Sequence, residues 1–257
     1  MSVDITRPHI GRIYDYVLGG TYNHEADRRA AQAMIELMPA YPRWARLNRS
    51  FLSLVGEVWA RERRTRILDV GSGLPTQDHF NTCLPDAKIL FSDSDPLTVA
   101  QGRQVLAYTS DMAYAEADAR DPDALLTQAD EFFEGERSLA VGCIGVAYFL
   151  SDEHLHGLMK RLHAFCAPGS PLAISFPAMD DEGPLTEEVL EVFRTCSKVA
   201  KIDFFHRTAA EVAEIIKPWR MTTPLRLASL LPDSAPQSHE GHPMHRMTVL
   251  GAFAEHG

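Results

Sequence analysis

The stretch from Arg66 to Thr76 constrains the fold more than any other, because a short apolar run there meets a glycine-rich turn. Residues 67–70 have the sequence Ile-Leu-Asp-Val, which favours a buried β-strand, and Gly71-Ser72-Gly73 ends the run. Glycine permits a sharp turn and leaves no Cβ between the backbone and a ligand. Asp69 adds a carboxylate at the end of the strand. The pattern predicts a strand end at which a nucleotide-type ligand binds.

The turn differs from the dinucleotide-binding fingerprint of nicotinamide-dependent oxidoreductases. That fingerprint requires a glycine or alanine three residues after the second glycine, where a helix packs closely on the strand. Thr76 occupies this position, and Pro75 precedes it. An NAD-dependent oxidoreductase is therefore the less favoured hypothesis, and an ordinary turn that binds no ligand is a further alternative.

Composition and charge argue against several classes of function. With 45% hydrophobic and 23% charged residues, the 257-residue chain has the composition of a globular protein. A formal net charge of -10 disfavours binding to nucleic acid, which normally needs a basic surface, and favours a small-molecule substrate. No apolar run approaches the roughly 20 residues of a membrane-spanning helix, so we expect a cytoplasmic protein with no membrane partner. The sequence does not predict the oligomeric state.

Neither the cysteines nor the histidines form a convincing metal-binding pattern. The four cysteines are widely spaced and contain no Cys-x-x-Cys pair, which favours reduced, buried thiols. His239, His242 and His245 are close in sequence, but a proline-bearing loop between strands explains them, and no carboxylate set completes a site. We therefore predict no bound metal. The cysteines are Cys83, Cys143, Cys166 and Cys196.

The first 62 residues are predicted to be helical. Segments 12–18, 25–37 and 44–61 carry apolar residues at helical spacing. Residues 11–24 are rich in tyrosine and glycine, and a short helix followed by a flexible Gly-Gly pair is a reasonable way to close over a pocket. We predict a helical extension over residues 1–62 that covers the ligand site as a lid, and a core over residues 63–257.

Seven segments are predicted to be strands, with helices between most of them. This alternation indicates an α/β fold with a doubly wound, mostly parallel sheet. The last two strands should form an antiparallel hairpin at one edge. The predicted strands are 67–70, 88–92, 113–117, 139–150, 171–176, 225–231 and 247–253.

Several motifs resemble those of a known family. Asp69, two positions before Gly-x-Gly, resembles motif I of class I S-adenosylmethionine-dependent methyltransferases, although Pro75 replaces the usual third glycine. The segments 12–20 and 71–76, in this order, are similar to a methyltransferase family that is abundant in actinobacteria and was first catalogued as a domain of unknown function. The likeness extends to segments 92–96 and 117–122.

The resemblance implies a Rossmann-like class I methyltransferase fold, with a seven-stranded, mostly parallel sheet flanked by helices and a helical N-terminal cover. It also implies S-adenosyl-L-methionine as the cofactor. The cofactor-binding residues that we predict are Arg12, Tyr14, Gly19, Asp69, Gly71, Ser72, Gly73, Asp93, Ser94, Asp118 and Ala119.

Asp93 is the predicted ligand of the cofactor's ribose. It follows the second strand about 20 residues after the glycine turn, where a carboxylate can accept hydrogen bonds from both ribose hydroxyls. Asp95 competes for this role, but its position before Pro96 favours a helix cap. Asp118, after the third strand, either accepts a hydrogen bond from the adenine amino group or forms a cap or turn.

The end of the fourth strand should face the reactive methyl group. The loop that follows it lacks an Asn-Pro-Pro-Tyr or Asp-Pro-Pro-Tyr run, which disfavours amide and base nitrogens as acceptors. His24, Tyr14 and Tyr148 are candidates for proton removal or acceptor positioning. We predict a methyltransferase that acts on a small molecule, and the alternative is a non-catalytic, S-adenosylmethionine-binding regulatory module.

Overall fold

A computed structural model describes residues 4–75, 79–179, 184–230 and 241–256. Within these ranges the chain forms one eight-stranded sheet with helices on both faces. The strands are β1 (Arg66–Asp69), β2 (Lys88–Asp93), β3 (Met112–Glu116), β4 (Ala140–Cys143), β5 (Pro171–Met179), β6 (Arg220–Met221), β7 (Leu225–Arg226) and β8 (Met247–Glu255).

The helices alternate with the strands along most of the chain. Several begin at side-chain caps, in which a serine, threonine or aspartate accepts a hydrogen bond from a first-turn backbone N–H. The α-helices are α1 (Ile10–Val17), α2 (Glu25–Leu37), α3 (Tyr41–Arg61), α4 (Phe80–Cys83), α5 (Pro96–Val105), α6 (Pro122–Phe132), α7 (Asp152–Phe165), α8 (Glu187–Ala200) and α9 (Ala209–Ile215). Short 3₁₀ helices span Ala147–Phe149, Leu227–Leu230 and Pro243–Arg246.

The strand order is β3-β2-β1-β4-β5-β8-β6, and β7 also pairs with β8. The five strands from β3 to β5 are parallel, whereas β8 runs antiparallel to β5, β6 and β7. The chain passes from β1 to β2 on one side and later returns to β4 on the other. In a sheet with this topology, ligands bind in the crevice where the strand order reverses, beyond the carboxyl ends of β1 and β4.

Two hydrophobic clusters cover the two faces of the sheet. Side chains alternate across a strand, so Ile67 contributes to one cluster and Leu68 to the other. The first cluster includes Phe51, Val55 and Trp59 of α3, together with apolar residues of α1, α2 and α8. The second cluster buries α6, α7 and α9. Residues 10–61 therefore share a continuous core with the sheet.

The Rossmann-like, mostly parallel fold is confirmed, but the fourth strand is shorter than the predicted segment 139–150. β4 ends at Cys143, and the chain then turns at Gly145, whose φ of +79° suits glycine. The buried Arg207 donates hydrogen bonds to the carbonyls of Ala147 and Leu150, at 3.0 and 2.6 Å. A tertiary contact therefore satisfies backbone groups that a longer strand would have paired with a neighbour.

The predicted strand 225–231 is also mostly wrong. Only Leu225–Arg226 pairs with β8, and Leu227–Leu230 forms a 3₁₀ helix in which Leu227 is fully buried. Residue 231 lies outside the described ranges. β8 occupies an interior position between β5 and β6, so the last strand is not at the sheet edge.

No helix in the described part of the chain is long and apolar enough to span a membrane.

Candidate functional site

A cavity of about 500 Å³ opens beyond the carboxyl ends of the parallel strands. This volume lies within the roughly 300–1,000 Å³ of small-molecule sites. We call one side the sheet wall: residues 71–73, 93–94, 118–120 and 145–146, which follow β1, β2, β3 and β4. We call the opposite side the helical wall: Tyr14 of α1 with Asn48, Arg49 and Leu52 of α3. Residues 201–203 and Phe205 line the cavity beside these walls, as do residues 9–11, 117, 144, 149–151 and His154.

The glycine turn has the backbone conformation that its sequence predicts. Gly71 and Gly73 have φ angles of +65° and +61°, which side chains rarely adopt. The Ser72 and Ser92 hydroxyls both donate to the Asp69 carbonyl, at 3.0 and 2.8 Å, and thereby fix the turn.

The two glycines differ in what a side chain would meet. A Cβ at Gly71 would lie 2.5 Å from the Val146 side chain, whereas a Cβ at Gly73 would have no atom within 4 Å. Gly73 therefore borders open space, and contact of either glycine with a ligand stays a prediction. At Gly71, the absence of a side chain leaves room for the side chain of Val146.

Asp93 is held at the cavity by two backbone donors. Its carboxylate accepts hydrogen bonds from the Gly73 N–H at 3.2 Å and the Asp95 N–H at 2.9 Å. The side chain is buried, and this burial raises its pKa. Asp95 instead caps α5, as predicted, by accepting a hydrogen bond from the Thr98 N–H. Of the two carboxylates, only that of Asp93 lines the cavity, and its contact with a ribose stays a prediction.

Asp118 also lines the cavity, with Ser94 and Ala119 beside it. The Arg120 guanidinium hydrogen-bonds the Asp118 carboxylate, with its Nε 2.9 and 3.0 Å from the two oxygens. This hydrogen bonding lowers the pKa of Asp118 and keeps it ionised. The N-cap of α6 is Asp121 rather than Asp118, whose carboxylate accepts from the Arg120 N–H at 2.9 Å and so forms a turn. The contact with adenine stays a prediction.

Asp69 lies beneath the turn and does not line the cavity. Its carboxylate is 2% exposed, its Oδ2 has no hydrogen-bond partner, and burial raises its pKa to about 7. His79 lies nearby, with Nε2 3.7 Å from that oxygen. The His79 Nδ1 accepts from the Phe80 N–H at 2.9 Å, so the proton is on Nε2, which donates to the Ser72 carbonyl at 3.1 Å. His79 is therefore neutral and does not form an ion pair with Asp69.

Arg12 joins the N-terminal helices to the core. Its guanidinium donates to Asp27 at 3.0 Å and to both carboxylate oxygens of Asp95, at 3.0 and 2.9 Å, and all three side chains are buried. Arg12 does not line the cavity. Gly19 is exposed after α1, and His24 precedes α2, where its N–H donates to Asp27. Gly19 and His24 do not line the cavity either. The roles in cofactor binding or catalysis that we predicted for Arg12, Gly19 and His24 stay predictions.

Tyr14 lines the cavity, and its hydroxyl donates to the Ala45 carbonyl at 2.9 Å. Tyr148 lies in an adjoining aromatic crevice of about 30 Å³, which Tyr14, Asn48 and Phe149 also line. Burial raises the pKa of both tyrosines, so both hydroxyls are neutral near pH 7. The structure brings the two tyrosines together in this crevice as neutral hydroxyl groups, and their roles at a methyl acceptor stay predictions.

Several cavity residues were not predicted from the sequence. Asn48 is buried, and its Oδ1 accepts from the Ser175 hydroxyl at 2.7 Å, while Ser175 accepts from the Gly145 N–H at 2.9 Å. An asparagine on the apolar stripe of an amphipathic helix, in register with Trp44 and Leu52, is a signal that sequence analysis could have used. The other cavity residues that were missed include Arg49, Arg120, Lys201, Asp203 and Phe205.

No cluster of three histidine, cysteine or acidic side chains suited to a metal occurs among the described residues. His242 and His245 bond to backbone groups of their own segment, at 3.1 and 3.0 Å. His239 and Thr76 lie outside the described ranges.

Comparison with known proteins supplies the family. Residues 1–252 match a family model described as S-adenosyl methyltransferase. No curated protein sequence matches the chain significantly.

Three solved structures show the same fold. A DUF574 family protein from Streptomyces avermitilis is 28% identical, with a TM-score of 0.81 and 100% of each chain covered. A candidate methyltransferase from Thermobifida fusca is 25% identical, with a TM-score of 0.82, and the match covers 98% of this chain and 96% of that one. The 1,6-didemethyltoxoflavin-N1-methyltransferase of Burkholderia thailandensis is 16% identical, with a TM-score of 0.52 and 90% of each chain covered.

The family match spans nearly the whole chain, and it decides between the cofactors considered from the sequence. S-adenosylmethionine, rather than a nicotinamide, is the cofactor of this family. The chain belongs to the S-adenosyl methyltransferase family, and it is a class I, Rossmann-like, S-adenosylmethionine-dependent methyltransferase.

Proposed function

We propose that this methyltransferase acts on a small-molecule acceptor, which binds beside the cofactor in the cavity between the sheet wall and the helical wall. The observation that carries the proposal is the cavity itself, because a volume of about 500 Å³ suits small molecules rather than a polymer. The formal charge of -10 disfavours a nucleic acid. The Burkholderia enzyme of the same fold was crystallised with a small molecule and S-adenosylhomocysteine.

The sheet wall fits the cofactor. The open space beside Gly73 lets a ligand lie against the peptide backbone, and Asp93 offers a carboxylate fixed by two N–H donors. On this proposal, residues 71–73 hold the amino-acid end, Asp93 the ribose, and Asp118 with Ala119 the adenine. When bound, the sulfonium supplies an activated methyl group, which an acceptor removes by in-line displacement.

On this proposal, Tyr14 and Tyr148 position the methyl-acceptor substrate through hydrogen bonds and do not act as ionised bases. The Tyr14 hydroxyl already donates a hydrogen bond to the Ala45 carbonyl. Toward a methyl-acceptor substrate, its oxygen can therefore only accept a hydrogen bond. Tyr148 stays protonated because burial raises its pKa. We propose that alignment of the two reactants and exclusion of water supply most of the rate enhancement. An acceptor with an acidic hydroxyl or amine then needs no strong base from the protein.

We further propose that residues 1–62 serve as the cover of this site. The support is that α1 and α3 contribute Tyr14, Asn48 and Arg49 to the helical wall. Arg12 of α1 binds Asp27 of α2 and Asp95, the N-cap of α5, and so links the first two helices to the core. The cover is therefore attached by a buried ion pair as well as by apolar packing.

The experiment is a methyl-transfer screen with purified protein and S-adenosylmethionine. Phenols, carboxylic acids, amines, tRNA and peptides are supplied separately, and S-adenosylhomocysteine formation is measured by mass spectrometry. We expect turnover with one of the small-molecule classes. Turnover with tRNA or peptides alone would refute the proposal, and Asp93→Asn serves as the control for cofactor-dependent signal.

Once an acceptor is found, substitutions at the three predicted catalytic positions separate their roles. Tyr148→Phe should lower kcat/KM for the acceptor without changing the affinity for S-adenosylhomocysteine, because it removes a hydroxyl near the acceptor end. Tyr14→Phe should do the same to a smaller extent. His24→Ala should leave both quantities unchanged, since His24 lies outside the cavity, and a large loss of kcat in that variant would restore His24 as a catalytic candidate.

A further inference from the structure

Arg49 is a cation of the helical wall to which the proposed function assigns no role. It lies on α3 and lines the cavity on the helical wall. One guanidinium nitrogen, Nη2, is 3.4 Å from the Leu74 carbonyl, which is a long hydrogen bond. The other terminal nitrogen, Nη1, is buried and has no hydrogen-bond partner. Among the described residues, no carboxylate oxygen lies within ion-pair distance of this guanidinium.

A buried N–H group of an arginine is costly when it is unpaired, so a guanidinium with such a group at the cavity wall points to an anionic ligand. The guanidinium also lies against the Tyr14 ring, 5.7 Å from its centroid, which restricts the orientation of its planar face. A planar guanidinium with free N–H groups at its edge matches the geometry of a carboxylate better than that of a neutral group.

The position of Arg49 indicates which molecule carries the carboxylate that it binds. Leu74, its backbone contact, directly follows Gly73 in the turn that holds the amino-acid end of the cofactor. We propose that Arg49 binds the α-carboxylate of S-adenosylmethionine and so fixes the amino-acid end against the glycine turn. The inference rests on the cofactor site described above and requires no knowledge of the acceptor.

A carboxylate on the acceptor is the other possible source of the same chemistry. The Leu74 contact favours the cofactor, because it places the guanidinium next to the turn that follows β1. The experiment separates the two sources because it contains the cofactor product alone, with no acceptor.

The test compares two ligands by calorimetric titration: S-adenosylhomocysteine and its decarboxylated analogue, which keeps the adenosine, the sulfur and the amine. Wild-type protein should prefer S-adenosylhomocysteine by about 10- to 100-fold, the range expected for charge-assisted hydrogen bonds. In Arg49→Met, which keeps an apolar chain against Tyr14, this preference should fall to near unity. The affinity for the decarboxylated analogue should stay at the wild-type value.

Two further variants make the result decisive. Arg46→Met removes a cation three residues earlier on α3 that does not line the cavity, and it should keep the wild-type preference. Arg49→Lys keeps the charge but loses the forked donors, so it should retain part of the preference even if Arg49→Met fails to fold.

Three outcomes would overturn the inference: no preference in the wild type, an undiminished preference in both Arg49 variants, or equal weakening of both ligands in those variants. Failure of the wild type to bind either ligand would instead refute the cofactor site, and with it the proposed function. A normal cofactor preference without any small-molecule turnover would leave Arg49 supported and the acceptor proposal wrong.

Discussion

The two walls of the cavity are built in different ways. The sheet wall consists of residues at the ends of neighbouring parallel strands, and backbone hydrogen bonds hold its polar groups, as the Gly73 and Asp95 N–H groups hold Asp93. The helical wall consists of side chains from α1 and α3, whose positions depend on tertiary contacts such as the Arg12 ion pairs. Backbone topology therefore places the glycine turn and the Asp93 carboxylate that we propose for the cofactor. Side-chain packing places Tyr14, proposed for the acceptor, and Arg49, proposed for the cofactor carboxylate.

This difference predicts separable effects of mutation. Substitutions in the sheet wall should lower the affinity for the cofactor. Substitutions that break the attachment of the helical wall should mainly lower the free energy of unfolding. The four predictions that follow run from the largest expected effect to the smallest.

Removing the Arg12 cation should have the largest effect. In Arg12→Met, the buried carboxylates of Asp27 and Asp95 lose their ion-pair partner, which typically costs about 3–5 kcal/mol. Urea unfolding should show this loss of stability. Arg29→Met, which breaks the exposed pair with Glu25, should change the free energy of unfolding by less than about 0.5 kcal/mol. A loss in Arg12→Met as small as that of the control would show that the helical wall is held by apolar packing alone.

The second prediction concerns pH and Asp69. Burial raises the pKa of this carboxyl from 3.8 to about 7, so the folded protein retains a proton that the unfolded chain releases at lower pH. The resulting stabilisation is complete below about pH 4 and is lost as the pH rises through about 7. Between these values the stability of wild type should fall by roughly 1.4 kcal/mol per pH unit relative to Asp69→Asn, which cannot titrate.

Urea unfolding of both proteins at pH 5, 6, 7 and 8, without ligand, provides the measurement. Because the other titrating groups are common to both proteins, the difference isolates Asp69. Parallel pH profiles would mean that Asp69 is already ionised in the folded protein and that the base of the sheet wall does not titrate.

The third prediction addresses the sheet wall directly. Asp93→Asn keeps the size of the side chain and one acceptor oxygen but removes the negative charge, so affinity for S-adenosylhomocysteine should fall by about 10- to 100-fold, or roughly 1.5–3 kcal/mol. Ser94→Ala, at the exposed neighbouring position, should have a smaller effect. Calorimetry on folded variants provides the comparison, and equal affinities of wild type and Asp93→Asn would remove Asp93 from the ribose site.

The smallest effect is expected from a methyl group at Gly73, and Gly71 is its matched comparison. Both positions have positive φ, so alanine at either costs about 1–2 kcal/mol of backbone strain. Gly73→Ala adds its Cβ to open space in the cavity and should also lower cofactor affinity by about tenfold. Gly71→Ala should lose more stability, because its Cβ would lie 2.5 Å from Val146. Equal stability of the two variants would contradict this distinction.

Local sequence predicted most of the sheet wall. The turn at 71–73, the position of Asp93 and the cap formed by Asp95 follow from residues within a few positions of each strand end. Parallel strands bring their carboxyl ends to one edge of the sheet, so strand order alone brings these residues together. The motif resemblance extended this prediction to the family and the cofactor, and the family match confirmed both.

The sequence was less informative where distant segments decide local structure. The apolar run after residue 139 predicted a strand to residue 150, but Arg207, more than fifty residues later, bonds the backbone there and ends the strand at Cys143. Arg12 was predicted to bind the cofactor because it belongs to a family motif. In the structure its guanidinium lies between Asp27 and Asp95, a placement that depends on how α1 packs on α5, and its role in cofactor binding stays a prediction.

By itself, the sequence determined the strand-turn unit, the alternation of strands and helices, and the family. These are properties of spacing along the chain, which hydrophobic periodicity and glycine conformation fix locally. Only the tertiary structure decided which of the arginines at positions 43, 46 and 49 on α3 lines the cavity. It also decided that the Tyr14 hydroxyl donates to the Ala45 carbonyl and that Gly73, unlike Gly71, borders open space. The surroundings of these side chains depend on how segments far apart in sequence pack together, and local sequence patterns do not encode that packing.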